Sequence, residues 1–133
     1  MASTVRLELV TPERVLLSEE VDEVIAPGDS GEFGVLPDHT PFFAVLAIGV
    51  LKYRKGGELR KIALGGGFAE VTPDRVVVLA DVAEKAEEID LDRARRAHVR
   101  AEEALRELSL DDKTYRVAYG ALQRALARMA AAD

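Results

Sequence analysis

The sequence predicts an α+β protein, with an antiparallel β-sandwich or barrel followed by a C-terminal antiparallel hairpin of two helices. The spacing of apolar residues has a period of two up to about residue 84, and then changes to intervals of three and four. The charge balance changes at the same point, since residues 1–84 hold 8 Lys or Arg and 14 Asp or Glu, whereas residues 85–133 hold 10 of each. We therefore predict two domains, 1–84 and 85–133.

Short alternating segments predict the strands of the first domain. In VRLELV, the residues Val5, Leu7 and Leu9 alternate with polar side chains. The same reading predicts strands in VDEVIAP (21–27), GVLKYRK (49–55), LRKIAL (59–64), GFAEVT (67–72) and RVVVLAD (75–81). The paired glycines of RKGGEL predict a tight hairpin, and Pro73 with Asp74 predicts a type I turn. Many short strands separated by turns are typical of a small sandwich or barrel.

Residues 89–108 and 109–131 predict the two helices, with Asp90 as the N-cap of the first. A connection of about four residues implies that the helices are antiparallel. The apolar face of the first helix is rich in alanine, which propagates a helix well but buries little area. The alanines are Ala94, Ala97, Ala101 and Ala104. Two such helices would each be stable but would pack only loosely against each other, which suits a hairpin that opens and changes partner. A hairpin that stays closed, with a thin apolar contact between its helices, fits the same pattern.

Composition excludes several classes of function. The chain contains no cysteine, which excludes disulfides, thiolate catalysis and cysteine-ligated zinc. A net charge of −6 argues against general binding to nucleic acids. No apolar run is long enough to span a membrane, and the first residues lack the pattern of a signal peptide. We therefore expect a protein of a bacterial-type cytoplasm.

The segment GEFGVLPDHTP (31–41) is open to three interpretations. As a phosphate-binding loop it lacks the lysine and the following helix of a P-loop, and LGGGFAE (64–70) lies between strands. As a catalytic site it offers Ser30, Asp38 and His39, but an Asp and a His adjacent in sequence rarely orient one another. The third interpretation, a stiff exposed loop that docks a partner, is the one that the residues favour.

Three motifs, in register along the chain, resemble those of the epsilon subunit of the rotary F-type ATP synthase. GEFGVLPDHTPFFAVLAIGVL (31–51) is similar to that family's G-x-x-G-x-x-P-x-H-x-P signature. GGFAEVTPDRVVVLAD (66–81) resembles the next signature, and IDLDRARRA (89–97) resembles the helical motif. The resemblance runs from about residue 4 to residue 130. It implies a non-catalytic subunit of the central rotor that requires no cofactor.

The resemblance also implies partners. The sandwich would clamp the gamma subunit to the c-subunit ring, so that proton flow drives ATP synthesis. The hairpin would lie against the sandwich in one state and extend into the alpha/beta catalytic head in another, where it blocks ATP hydrolysis. Glu32 falls where the sandwich meets the c ring, and Asp38 and His39 fall on the side that faces gamma. A solvated acid at Glu32 and a structural histidine at His39 are the alternatives. The implied location is peripheral, through the complex, at the cytoplasmic face of the bacterial plasma membrane.

In some members of this family the folded hairpin binds one ATP, without magnesium and without hydrolysis. The resemblance implies that the ATP-binding residues here are Glu84, Asp90, Arg93, Ala94, Arg100, Arg124 and Arg128. Their spacing is compatible with this role, because arginines on the facing helices could converge on a triphosphate with bidentate N–H donors.

Several alternatives to this ATP site are open. Arg96 shares the face of Arg93 and Arg100, so the spacing alone does not exclude it. The helical arginines could instead form surface ion pairs, for example Arg100 with Glu103 or Glu107. A stand-alone ATP-binding sensor and a small hydrolase are the competing functions.

Overall fold

The computed structural model describes residues 4–132. It contains eight strands, a short 3₁₀ helix and two α-helices. The strands are β1 (Val5–Val10), β2 (Val15–Val21), β3 (Glu23–Gly28), β4 (Gly31–Val35), β5 (Phe42–Lys55), β6 (Glu58–Thr72), β7 (Arg75–Ala80) and β8 (Ala83–Lys85). The 3₁₀ helix is Ala86–Glu88, and the α-helices are α1 (Leu91–Arg106) and α2 (Lys113–Ala132). The predicted order of a β domain followed by two helices is confirmed.

The strands form one sheet in the order β2-β1-β7-β6-β5-β3-β4, and β8 pairs with β6. The sheet folds over so that β2 contacts β5, and it encloses a core that includes Leu7, Leu9, Leu51 and Leu64. All strand pairs are antiparallel except β1 with β7, which are parallel. The predicted antiparallel sandwich or barrel is confirmed apart from this one pair, which can be parallel because β1 and β7 are distant in sequence and need no hairpin to join them.

The strand boundaries differ from the prediction in three places. The segment Val15–Val21 is a strand that the sequence reading missed, and the first five residues of the predicted loop 31–41 form β4. The segments 49–55, 59–64 and 67–72 belong to only two long strands, β5 and β6. Gly66 and Gly67 have positive φ angles but do not end β6, because the pairing with β5 keeps the same register on both sides of them.

The helix N-cap is confirmed, since the Asp90 side chain accepts a hydrogen bond of 3.1 Å from the backbone N–H of Arg93. The second helix begins at Lys113 rather than at Ser109, so the connection is 107–112. Its N-terminus is set by the Asp112 carboxylate, which accepts a 2.9 Å hydrogen bond from the N–H of Thr114.

The alanine-rich contact is present, but α2 is rotated relative to the apolar face that its spacing predicts, which includes Tyr119, Leu122 and Leu126. In α1, Ala94 and Ala101 are buried and Ala104 is exposed. In α2, Ala127 is buried and Leu126 is exposed, because α2 packs on the sheet as well as on α1. The contact with the sheet is a small cluster of Ala63, Ala127 and Ala131, flanked by Ile48, Val50 and Ile89. Alanine side chains bury little area, so this apolar contact between the hairpin and the sandwich is weak. None of the helices in residues 4–132 is long and apolar enough to span a membrane.

Replacing Gly67 with alanine is expected to lower the free energy of unfolding by about 3 kcal/mol. A Cβ atom at this position would lie 2.1 Å from the Leu79 carbonyl oxygen and 2.8 Å from Ala80 Cα, and the φ angle of +148° disfavours any side chain. Urea denaturation of the variant measures the loss.

Gly120→Ala is the matched control for this prediction. In α2 the added Cβ would meet only the end of the flexible Arg124 side chain, at 3.3 Å. Alanine at a helical site is expected to stabilise the chain by about 0.5–1 kcal/mol. Equal effects of the two substitutions would contradict the backbone geometry described at Gly67.

Candidate functional site

A cavity of about 280 Å³ lies where β8, the 3₁₀ helix and both α-helices meet. Six of the seven residues that the family resemblance indicated for ATP line it, namely Glu84, Asp90, Arg93, Ala94, Arg100 and Arg128. Glu88 and Ala97 complete the lining. The structure therefore brings together, around one opening, side chains that are distributed over 45 residues of sequence.

The two arginines of α2 have different positions. The Nε atom of Arg128 donates a short hydrogen bond to Oε1 of Glu84, and both side chains are about one-third exposed. Arg124 lies beside the cavity, in a narrow cleft that it shares with Glu84, Arg128 and Val82. The cavity lining does not include Arg96. The facing positions on α1 and α2 are therefore Arg93, Arg100 and Arg128.

Arg93 and Arg100 have no ion-pair partner among the residues that the structure describes. The pairing of Arg100 with Glu103 or Glu107, which the sequence left as an alternative, is not formed in this part of the chain. The ion pairs found within α1 are Arg95 with Asp92 and His98 with Glu102. The guanidinium groups of Arg93 and Arg100 thus keep their hydrogen-bond donors available to a ligand.

Glu88 is a cavity residue that the sequence reading missed. Its carboxylate binds the guanidinium of Arg14 through two contacts, Nη2 to Oε1 at 3.0 Å and Nη1 to Oε2 at 2.9 Å. Its Oε1 also accepts a 2.9 Å hydrogen bond from the backbone N–H of Lys85. The hydrogen bond from Arg14, supported by that of Lys85, holds the pKa of the Glu88 carboxyl below its usual range.

The charges of the cavity suit an anion that also carries hydroxyl or amino groups. Three guanidinium groups supply fixed N–H donors for phosphate oxygens, and three carboxylates supply acceptors. The volume is slightly below the ~300–1,000 Å³ of typical small-molecule sites, so a nucleotide would extend beyond the present opening. Among residues 4–132, no group of three or more His, Asp or Glu side chains is arranged to hold a metal ion.

Two larger clefts, of about 530 and 520 Å³, lie between the sheet and the C-terminal end of α2. Only one of them contains an arginine, Arg60, and that side chain is paired with Glu58 and lies near Glu19. We therefore place the candidate ligand site at the smaller cavity, where arginines of both helices converge.

A second surface is apolar. Register places Val15, Val10, Leu79, Phe68 and Val45 directly opposite one another on the consecutive strands β2, β1, β7, β6 and β5. We call these residues the apolar row. Leu79 is 53% exposed and Phe68 is 48% exposed, and the ring of Phe43 stacks on Phe68 with centroids 5.8 Å apart. A contiguous exposed apolar surface of this kind is typical of a docking site.

The residues predicted to contact partners lie in separate places. Glu32 is on the edge strand β4, half-exposed, with its carboxylate 3.8 Å from Lys52 Nζ. Asp38 has a φ of +65°, and its N–H donates to the carbonyl of Pro73. The Nδ1 of His39 donates a 2.7 Å hydrogen bond to the Thr40 carbonyl, so this nitrogen is engaged by backbone rather than by Asp38.

Comparison with known proteins assigns the family. The model of the ATP synthase delta/epsilon chain β-sandwich domain matches residues 4–86, and the model of the long α-helix domain of the same chain matches residues 87–133. This chain belongs to the ATP synthase delta/epsilon family. The ATP synthase epsilon chain of Geotalea daltonii is 54% identical over 129 residues, which is 97% of this chain and 94% of that protein. The epsilon chain of Syntrophobacter fumaroxidans is 53% identical over 133 residues, 100% of this chain and 98% of that one.

Solved structures agree with this assignment. A chain in the Euglena gracilis mitochondrial ATP synthase, seen with F1 and the c ring, superposes with a TM-score of 0.84 at 26% identity, covering all of this chain and 84% of that one. A chain in the central stalk and c ring of the Tetrahymena thermophila enzyme has the same fold, with a TM-score of 0.66 at 15% identity and coverage of 97% and 96%. The predicted family is confirmed: this is an epsilon chain, a non-catalytic rotor subunit of ATP synthase.

Proposed function

We propose that this epsilon chain joins gamma to the c ring and inhibits ATP hydrolysis through a mobile hairpin, whose folded state binds ATP without magnesium. The observation that carries the proposal is the convergence of Arg93, Arg100 and Arg128 on one cavity between the helices. The cavity exists only while α1 and α2 lie together against β8. A ligand that requires all three arginines would therefore bind the folded hairpin and not the extended one.

The nucleotide would be held by its charge. Arg93 and Arg100 carry no competing ion pair in the described part of the chain and would donate to the phosphate oxygens. Arg128 would exchange its contact with Glu84 for a third phosphate contact. Glu84 or Asp90 would then accept a hydrogen bond from a ribose hydroxyl or from the base amino group. Arg124, beside the cavity, would reach the same phosphates by a change of rotamer.

ATP would shift the position of the hairpin because the hairpin is weakly attached. At 100 times its dissociation constant, a ligand stabilises the state that binds it by about 2.7 kcal/mol. The contact of α2 with the sheet consists largely of alanines and stabilises the folded state only weakly by itself, so a bound ligand can decide the balance between the two states. When ATP falls, the helices would leave the sandwich at residues 84–88, extend along gamma and present their arginines to acidic groups of the alpha/beta head.

Docking to gamma and to the c ring would use surfaces of the sandwich other than the cavity. The apolar row would bury its exposed side chains against gamma, with Asp38 and His39 on the same side of the contact. Glu32, on the edge strand β4, would meet the polar loops of the c ring. In this assembly the subunit would lie peripherally at the cytoplasmic face of the bacterial plasma membrane.

A disulfide lock tests the inhibitory role. The chain has no native cysteine, and Ala63 of β6 and Ala127 of α2 belong to one buried cluster. In the assembled ATP synthase, oxidised A63C/A127C is expected to hydrolyse ATP several-fold faster than the reduced form at low ATP concentration, because the hairpin cannot extend. Each single variant, treated with the same oxidant, is the control. Equal rates of hydrolysis in the oxidised and reduced enzyme would contradict inhibition by the extended hairpin.

A further inference from the structure

Arg14 is a sandwich residue that lies outside the cavity and pairs with Glu88 of its lining. It is the last residue of the turn between β1 and β2. The backbone N–H of Thr11 donates a 2.9 Å hydrogen bond to the Arg14 carbonyl, and the N–H of Arg14 donates a 3.3 Å hydrogen bond to Thr11 Oγ1. Its guanidinium forms the bidentate contact with Glu88, which is 74 residues away in sequence. A bidentate arginine–carboxylate pair fixes orientation as well as distance.

Glu88 transmits this contact to the cavity. It is the last residue of the 3₁₀ helix, its carboxylate also accepts from Lys85 N–H, and it lines the cavity beside Asp90 and Arg93. Asp90, two residues later, caps α1 by accepting from the N–H of Arg93. The pair with Arg14 therefore fixes the short segment that sets where α1 starts.

The contact also determines the charge of the cavity. The lining of the cavity contains three carboxylates and three guanidinium groups, so the formal charge of the lining is zero. Arg14 adds a fourth positive charge from outside and neutralises the carboxylate of Glu88. Without Arg14, Glu88 would be an uncompensated negative charge next to bound phosphates, and Coulomb repulsion would oppose binding.

We propose that Arg14 is a positioning residue of the nucleotide site, which the sandwich contributes to the hairpin by neutralising Glu88 and fixing the 3₁₀ helix. This inference rests on the proposed binding of ATP in the cavity. The proposal means that both domains are needed for the folded site, because the hairpin alone lacks the positive charge of Arg14 that balances Glu88. The hairpin would consequently bind ATP well only while docked on the sandwich.

The test is titration of the full chain with ATP by calorimetry. Arg14→Gln is expected to lower ATP affinity about 5- to 10-fold. Adding Glu88→Gln to that variant is expected to restore most of the affinity, because the uncompensated charge is gone. A purely structural role would not show this rescue. Arg6→Gln is the control, since Arg6 pairs with Glu8 and Glu20 on the sandwich surface away from the cavity.

Amide exchange without ATP tests the positioning part separately. The N–H groups of Lys85, Ile89 and Arg93 are hydrogen-bonded around this segment, and Arg14→Gln is expected to speed their exchange. Unchanged affinity in Arg14→Gln, when Arg93→Ala does weaken binding of ATP, would overturn the role of Arg14 and leave the ATP site intact. Unaltered exchange would overturn the fixing of the 3₁₀ helix. An unsubstituted chain that binds no ATP would overturn both proposals.

Discussion

Replacing Phe68 and Leu79 together with glutamate is expected to lower the affinity for the gamma subunit about 100-fold or more. The two side chains are adjacent across the β6–β7 ladder and form the centre of the apolar row. Both are about half exposed in the isolated chain, so the substitution removes no core packing. In a complex with gamma, the two carboxylates would be buried without partners, which is strongly unfavourable. Co-purification with gamma and a binding titration measure the loss.

Val117→Glu is the control for this experiment. Val117 lies on α2 and is 70% exposed, more than either row residue, but it is outside the row. It is expected to leave the affinity for gamma unchanged, and urea denaturation should show all variants folded. Full binding of gamma by the Phe68 and Leu79 double variant would show that gamma docks on another face of the sandwich.

Alanine at Arg93 or Arg128 is expected to lower ATP affinity about 10- to 100-fold for each substitution, because each removes hydrogen bonds to a charged group. The two residues approach the cavity from opposite helices. Arg124→Ala is expected to have a smaller effect, since Arg124 lies beside the cavity rather than in its lining. Calorimetric titration with magnesium-free ATP measures the differences.

Arg95→Ala is the matched control for these substitutions. Arg95 is two residues from Arg93 on the same helix, but it pairs with Asp92 and is absent from the cavity lining. Its substitution is expected to leave ATP affinity unchanged. If Arg95→Ala and Arg93→Ala reduced affinity equally, the effect would reflect the net charge of the helix and not the geometry of the cavity.

Features that depend on neighbouring residues could be predicted from the sequence. The Asp90 cap uses only Arg93, and the turn at Gly56–Gly57 uses glycines whose φ angles of +60° and +82° suit a two-residue hairpin. The fold class followed from the change of apolar period alone. The β4 strand was missed because glycine and proline favour loops locally, whereas pairing with β3 decides its conformation.

Features that depend on long-range pairing could not be predicted. The apolar row is formed by strands whose order, β2-β1-β7-β6-β5, includes a parallel pair between distant segments. Read singly, Val10 or Leu79 is an ordinary strand residue. The contact of Arg14 with Glu88 joins a turn of the sandwich to the 3₁₀ helix, 74 residues later in the sequence. The ATP residues came from resemblance to a motif, and the position of Arg124 beside the cavity depends on the rotation of α2.

The central claim is that the folded hairpin of this epsilon chain is an ATP site that needs no magnesium. Calorimetric titration of the unsubstituted full chain with ATP, with and without magnesium, tests it most directly. The structure predicts saturable one-to-one binding in the absence of magnesium, through Arg93, Arg100 and Arg128. No heat of binding at millimolar ATP would contradict the claim, and any inhibition of hydrolysis would then have to be controlled by rotation and by contacts with gamma.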